Sequence, residues 1–354
     1  MTTCRRNAAM HNGARRGQAL IGEGTHMDRT QRDLPADDGG TPSPAPARRR
    51  RQGLLATALA TLAVPVVPLY ATVLSYLVYH PPRRPHHRSP EQFGLPSREV
   101  WVPLDDKPVG KGRSLHVWLC PGSTDRVVVI GHGIGLSKSA SLAQAKFLHE
   151  AGYTVALFDH RNHGRSATDR AFWGLSARHT DDVAAVVGHL RREAGYADAR
   201  IAVFGFSFST FPSLYLLRRP DCGVDAIVCD SGPALELPPL FRNFILVKGI
   251  PVPAPLRTEP ALGVLSRVFG TVGTAMLQAQ WPPPAEGAYL RTPVLMLAGD
   301  GDSVIPLDGV RALAGLYPAA EVRVLPDTEH LQGMKTAPDE YRAAVLDFLK
   351  RTLG

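Results

Sequence analysis

From residue 93 onward the sequence predicts an α/β fold: a mostly parallel, twisted sheet with helices on both faces and an inserted cap. Three observations carry this expectation. Short apolar runs of strand length alternate with longer helical patterns, as crossover connections require. The run Arg200–Phe206 leads straight into Ser207, which sits between small residues, and a helical pattern follows at once. A Pro-rich apolar stretch over residues 233–292 then breaks the alternation and is too long for a plain connection, so it reads as a cap or lid. One membrane-spanning helix is expected ahead of this domain.

Residues 1–52 hold ten arginines and five acids with no apolar period, and they include Pro42, Pro44 and Pro46. Such a stretch buries too little apolar surface to offset its ordering entropy, so a disordered tail is expected. Residues 53–79 form a run of 27 residues without a charge, preceded by Arg48–Arg51 and followed by His80, Pro81, Pro82, Arg83 and Arg84. About 20 apolar residues suffice to cross hydrocarbon as a helix. A single-span anchor over 53–80 is therefore expected, with a cleaved signal peptide and a core-packed helix as the alternatives. The larger arginine cluster lies upstream, which keeps the N-terminus cytoplasmic and exports the remainder. Residues 81–92 read as a linker.

Strand-like runs follow at 99–102, 115–119, 126–131, 154–159, 200–206, 225–229, 293–298 and 321–325. Helical patterns fall at 139–151, 181–194, 208–218, 307–317 and 338–352. The opening runs have no helix between them and suit an antiparallel edge. The formal charge of +8 is confined to residues 1–88, and the remaining 266 residues carry 27 basic and 27 acidic side chains. A neutral globular part gives nucleic-acid binding no support. Cys4, Cys120, Cys222 and Cys229 show no metal-ligand spacing. A Cys222–Cys229 bridge is conceivable only in an oxidising compartment.

The chemistry centres on Gly205-Phe206-Ser207-Phe208-Ser209. A serine on a sharp strand-to-helix turn presents its hydroxyl clear of the sheet, provided its neighbours two positions away are small. Ser209 stands where a second glycine is usual. A serine capping an ordinary helix is the competing reading. A nucleophilic serine needs a base and an acid that orients the base. The strand at 293–298 runs into Gly299-Asp300-Gly301-Asp302, and the last strand is followed by His330, the only histidine after His189.

These motifs together resemble the α/β-hydrolase-fold serine hydrolases, and in particular membrane-anchored bacterial esterase-like members. The resemblance covers roughly residues 93–354. It implies Ser207 as nucleophile, His330 as base and Asp302 as acid, with Asp300 a turn residue and Asp230 the acid that some relatives use. It implies an oxyanion hole made by the Phe208 N–H and by Ile134 or Gly133 in Gly131-His132-Gly133-Ile134-Gly135. Asp159-His160-Arg161-Asn162-His163-Gly164-Arg165-Ser166 resembles a structural loop of the same family, with His160 and His163 as a remote metal option. The activity so implied is hydrolysis of an ester or thioester, without cofactor or metal, and the apolar cap and the anchor point to a small lipophilic acyl substrate. Acyl transfer to another acceptor, or an inactive membrane-anchored binding protein, are the alternatives.

Overall fold

The computed structural model describes residues 65–104, 113–192, 195–246, 250 and 252–354. The expected tail over 1–52, and the first part of the expected anchor up to residue 64, lie outside the described residues.

Eight strands form one sheet: β1 (Arg98–Pro103), β2 (Ser114–Cys120), β3 (Arg126–Gly131), β4 (Thr154–Phe158), β5 (Arg200–Phe206), β6 (Ala226–Asp230), β7 (Val294–Gly299) and β8 (Ala320–Leu325). Their order is β1-β2-β4-β3-β5-β6-β7-β8. The first two pairings, β1 with β2 and β2 with β4, are antiparallel, and all others are parallel. The central strands are buried along nearly their whole length because both faces are covered.

Period-two alternation assigns each side chain to a layer. In β3, Val128 and Ile130 join Leu142, Leu148, Tyr341 and Phe348, which come from α2 (Leu142–Glu150) and α9 (Pro338–Leu353). Val127 and Val129 point the other way, against Val183, Val187 and Leu190 of α3 (Leu175–Arg192). Further along that face, α7 (Leu307–Ala314) covers β6 and β7 through Val310 and Leu313. The boundaries differ from expectation mainly at α3, which starts six residues before the expected Asp181 and buries Leu175 in its first turn. After Ser207 the chain runs through a short 3-10 turn into α4 (Thr210–Tyr215), with Pro212 in the first turn, where it displaces no hydrogen bond.

Between β6 and β7, where the cap is expected, lie α5 (Leu237–Leu246) and α6 (Ala261–Leu277), which pack on each other through Phe241 and Phe269. Residues 65–79 form a helix, α1, that lies against them. Val67, Ala71, Leu74 and Tyr79 of α1 are buried among Phe241, Ile245, Leu265 and Phe269 of α5 and α6. The Ser75 and Tyr79 hydroxyls donate to the Phe269 and Gly273 carbonyls, at 3.4 and 3.2 Å. Among the described residues no helix is long and apolar enough to cross a membrane. One face of the expected span is thus a packing surface, which an uncharged helix provides as readily as a lipid-facing one.

Residues 81–92, expected as a linker, carry specific bonds to the domain. The Arg83 guanidinium donates to the carbonyls of His163, Gly164 and Ser166 and to the Thr168 hydroxyl, at 2.7–3.1 Å. His86 Nε2 lies 2.8 Å from Asp159 Oδ2. These contacts hold α1 in place from its C-terminal side.

Candidate active site

At the end of β5, Ser207 adopts φ +48°, a left-handed conformation unusual for serine. The turn is tight enough that a Cβ at Gly205 would stand 2.6 Å from the Ser209 carbonyl oxygen. That is the steric reason for a glycine two residues before the nucleophile. Ser209 in the second small position is also accounted for. Its hydroxyl bonds to His160 Nε2 at 2.9 Å and fills the space that a Cβ at Gly131 would occupy. The departure from glycine is matched by a glycine on β3 and a histidine after β4. Both are far away in sequence, so local reading could not find the match.

The three expected residues converge. Ser207 Oγ lies 2.8 Å from His330 Nε2, and His330 Nδ1 lies 2.7 Å from Asp302 Oδ2. A carboxylate accepts only, so Asp302 fixes the proton on Nδ1 and leaves Nε2 free to accept from the Ser207 hydroxyl. The other Asp302 oxygen accepts the N–H groups of Val304 and Ile305, both at 2.9 Å. Asp302 is buried while His330 keeps partial contact with solvent.

Asp230, the alternative acid, is committed elsewhere. It accepts the Tyr341 hydroxyl at 2.6 Å and the Ser231 hydroxyl at 2.8 Å. Burial pushes its carboxyl above the usual carboxylate range, opposed by those two bonds. Its influence on the site passes through Ser231, whose oxygen accepts the Leu331 N–H beside the base.

The loop after β3 is held rigidly. Gly133 C=O accepts from Leu136 N–H and from His132 Nδ1, and Gly135 N–H donates to His163 Nε2. In a trans peptide the N–H points away from the carbonyl, so anchoring Gly133 C=O directs Ile134 N–H to the opposite side. Ile134 and Phe208 both line the cavity above Ser207. That cavity is narrow, about 70 Å³, and its wall is almost wholly apolar, drawn from α1, α5, α6 and the loop after β7. Among the described residues no carboxylate or cationic side chain lines it.

Behind Ser207 lies a buried histidine layer. His163 uses both ring nitrogens, toward Gly135 N–H and Arg161 C=O, which removes it as a metal ligand. Among the described residues two other groups have ligand-like spacing: His86, His116 and Asp159, and His160, His179 and Asp182. In the first, the Lys138 ammonium already sits 2.6 Å from both Asp159 and His116. In the second, Arg161 grips Asp182 through two guanidinium nitrogens at 2.6 and 2.9 Å. A side-chain cation thus takes the carboxylate each time, and neither group fits a resident metal.

Burial holds these histidines neutral: His132 is pushed down to about 3, His179 to about 4, and His163 well below its usual value. Their folded values lie below the unfolded one, so the unfolded chain binds more protons below pH ~6.5 and stability falls as pH drops. At pH 5 each contributes roughly 2 kcal/mol of lost stability. The thermal midpoint should therefore fall by about 10 °C between pH 7 and pH 5. A midpoint unchanged in calorimetry would show that the three rings charge inside the folded protein.

A mostly parallel sheet carrying a serine elbow after β5, with Asp302 and His330 on the loops after β7 and β8, defines the fold: this chain has the α/β-hydrolase fold. The family described as serine aminopeptidase, S33, matches residues 122–272, a span that contains Ser207 but stops short of Asp302 and His330. The chain is similar to YfhR of Escherichia coli (strain K12), 23% identical over 252 residues, which is 69% of this chain and 78% of YfhR. It is 27% identical over 257 residues to RutD of Caulobacter sp. (strain K31), whose name marks it as a candidate carbamate hydrolase; the match covers 65% of this chain and 92% of RutD. Among solved structures, the Pyrococcus furiosus esterase Pf2001 superposes with a TM-score of 0.61 at 22% identity, over 78% of this chain and 98% of that one.

Proposed function

We propose that the protein cleaves a carboxylic ester or thioester with an apolar acyl group through an acyl-enzyme on Ser207. The observation that carries this reading is the Ser207–His330–Asp302 relay opening into a cavity walled by hydrocarbon. Ser207 Oγ adds to the acyl carbonyl while His330 Nε2 takes the hydroxyl proton. The tetrahedral oxyanion is held by the N–H groups of Phe208 and Ile134, with Gly133 as the neighbouring donor. Collapse expels the alcohol or thiol, which receives the proton from His330. Water, deprotonated by the same ring, then releases the acid and restores Ser207.

The cavity wall also speaks to substrate class. A peptide with a free amino terminus would bring an ammonium into the site, and with no carboxylate in the wall its desolvation would go uncompensated. The esterase neighbour and the apolar wall support a carboxylic acyl group instead. The test is a fluorophosphonate probe followed by peptide mapping, together with a panel of acyl esters, thioesters and aminoacyl amides. Labelling at Ser207 with turnover of the esters and thioesters is the expected result. A folded protein that leaves the probe and every ester untouched would end the reading.

A further inference from the structure

Helix α1 is uncharged all round, and among the described residues one side of it is buried against the segment between β6 and β7 while another is exposed. Val67, Ala71 and Leu74 face α5 and α6, whereas Val66, Leu69, Val73 and Leu77 are 55, 65, 47 and 47% exposed. Their spacing of three and four residues places these four on a single stripe opposite the packed face. Soluble surface helices carry charge on that side. Here the stripe continues a run that is uncharged from residue 53, and Arg48–Arg51 stand before it, with Arg83, Arg84 and Arg88 after it.

We propose that the outward stripe of α1 rests in an anionic lipid bilayer, and that the hydrolase takes its acyl substrate from that bilayer. The substrate half rests on the ester or thioester reading above. Apolar side chains bracketed by arginine clusters match an interface in which headgroups are negative and acyl chains lie just beneath. The whole charge excess of the chain sits within residues 1–88, on this segment and its flanks. A second copy of the chain fits less well. Four side chains are a small part of the ~800 Å² per partner that stable association buries, and two basic segments would be brought together. The inner side of the same helix meets the chemistry. Val78 and Tyr79 line the cavity that contains Ser207, so a lipid-facing stripe and the cavity wall are separated by about one helix diameter, ~10 Å.

The experiment uses the full chain with Cys4→Ser and Cys222→Ser, because Cys120 and Cys229 are buried. An environment-sensitive fluorophore is placed by Leu69→Cys, by Leu77→Cys, or by Lys350→Cys as a control. Lys350 lies near the end of α9, whose carbonyls at Thr352 and Gly354 bond to the residues that open β5 and β3, at the sheet edge away from the site. With phosphatidylglycerol–phosphatidylcholine vesicles, the probes at 69 and 77 should shift to the blue and be quenched by lipid-borne nitroxide, and the probe at 350 should not. Serine at 66, 69, 73 and 77 together should lower hydrolysis of a vesicle-borne long-chain ester at least tenfold, leaving a soluble short-chain ester within twofold. Water-like emission at 69 and 77 in the presence of vesicles would overturn the proposal. So would a blue shift without vesicles at a dimeric mass, which would assign the stripe to a second copy. Fluorescence needs no turnover: lipid-inserted probes on a protein inert to all esters would overturn the substrate half alone, and the hydrolase reading with it.

Discussion

Ser207→Ala is expected to lower kcat/KM on an acyl ester by about 10⁴-fold or more, at unchanged thermal stability. Without Oγ no acyl-enzyme forms, and what remains is the modest catalysis that an oxyanion hole and binding provide over water. A loss of that size corresponds to roughly 5.5 kcal/mol of transition-state stabilisation. The fold has little reason to respond. Alanine meets the same φ of +48° that serine already accepts, and the bond lost is to a partly solvated imidazole that water can satisfy. Steady-state rates, a melting curve and intact-mass spectrometry for a trapped acyl adduct are the measurements. Activity within tenfold of the parent in a folded variant would remove Ser207 from the mechanism.

Asp302→Asn should cost nearly as much, about 10³- to 10⁴-fold, while Asp230→Asn should change turnover by less than about tenfold. The contrast comes from what each carboxylate touches. Asp302 accepts His330 Nδ1–H at 2.7 Å, and an amide there can present its NH₂ to the ring, favouring the tautomer whose Nε2 carries the proton. Such a ring cannot accept from Ser207. Asp230 holds two hydroxyls, and a neutral group suits its buried setting. Rates measured for both variants across pH 5–9 decide the assignment. Equal losses in the two variants, or a larger loss at Asp230, would overturn the assignment of Asp302 as the acid.

Much of the architecture was legible before any coordinates. All eight strands fall where apolar runs bounded by turn residues predict them, since strands buried on both faces read as continuous Val, Ile and Leu segments. Helix starts were less legible. The early start of α3 at Leu175 has no acidic residue in its first turn to mark it, and Leu175 is buried there by tertiary packing. The pairing of Ser209 with His160 and Gly131 was out of reach for a different reason. It is a contact in which Ser209 lies more than forty residues from either partner, and no local periodicity encodes it.

The segment at 65–79 shows the same limit. Hydropathy registers that a run lacks charge, and that property is shared by a helix in lipid and a helix against protein. The structure gives it one enclosed face and one exposed face: Leu74 and Tyr79 are buried, and Leu69 and Leu77 are not.

Linear order alone pointed to the class of fold and to Ser207 and His330 as the candidate nucleophile and base, because strand runs, a serine between small neighbours and a single late histidine are properties of neighbouring residues. Which carboxylate lies against His330, what the serine in the second small position touches, and that the uncharged N-terminal helix lines the cavity at Ser207 were decided only in three dimensions. Those are questions of which distant atoms come within about 3 Å of one another, and such contacts depend on how the loops of separate strands close over the sheet edge.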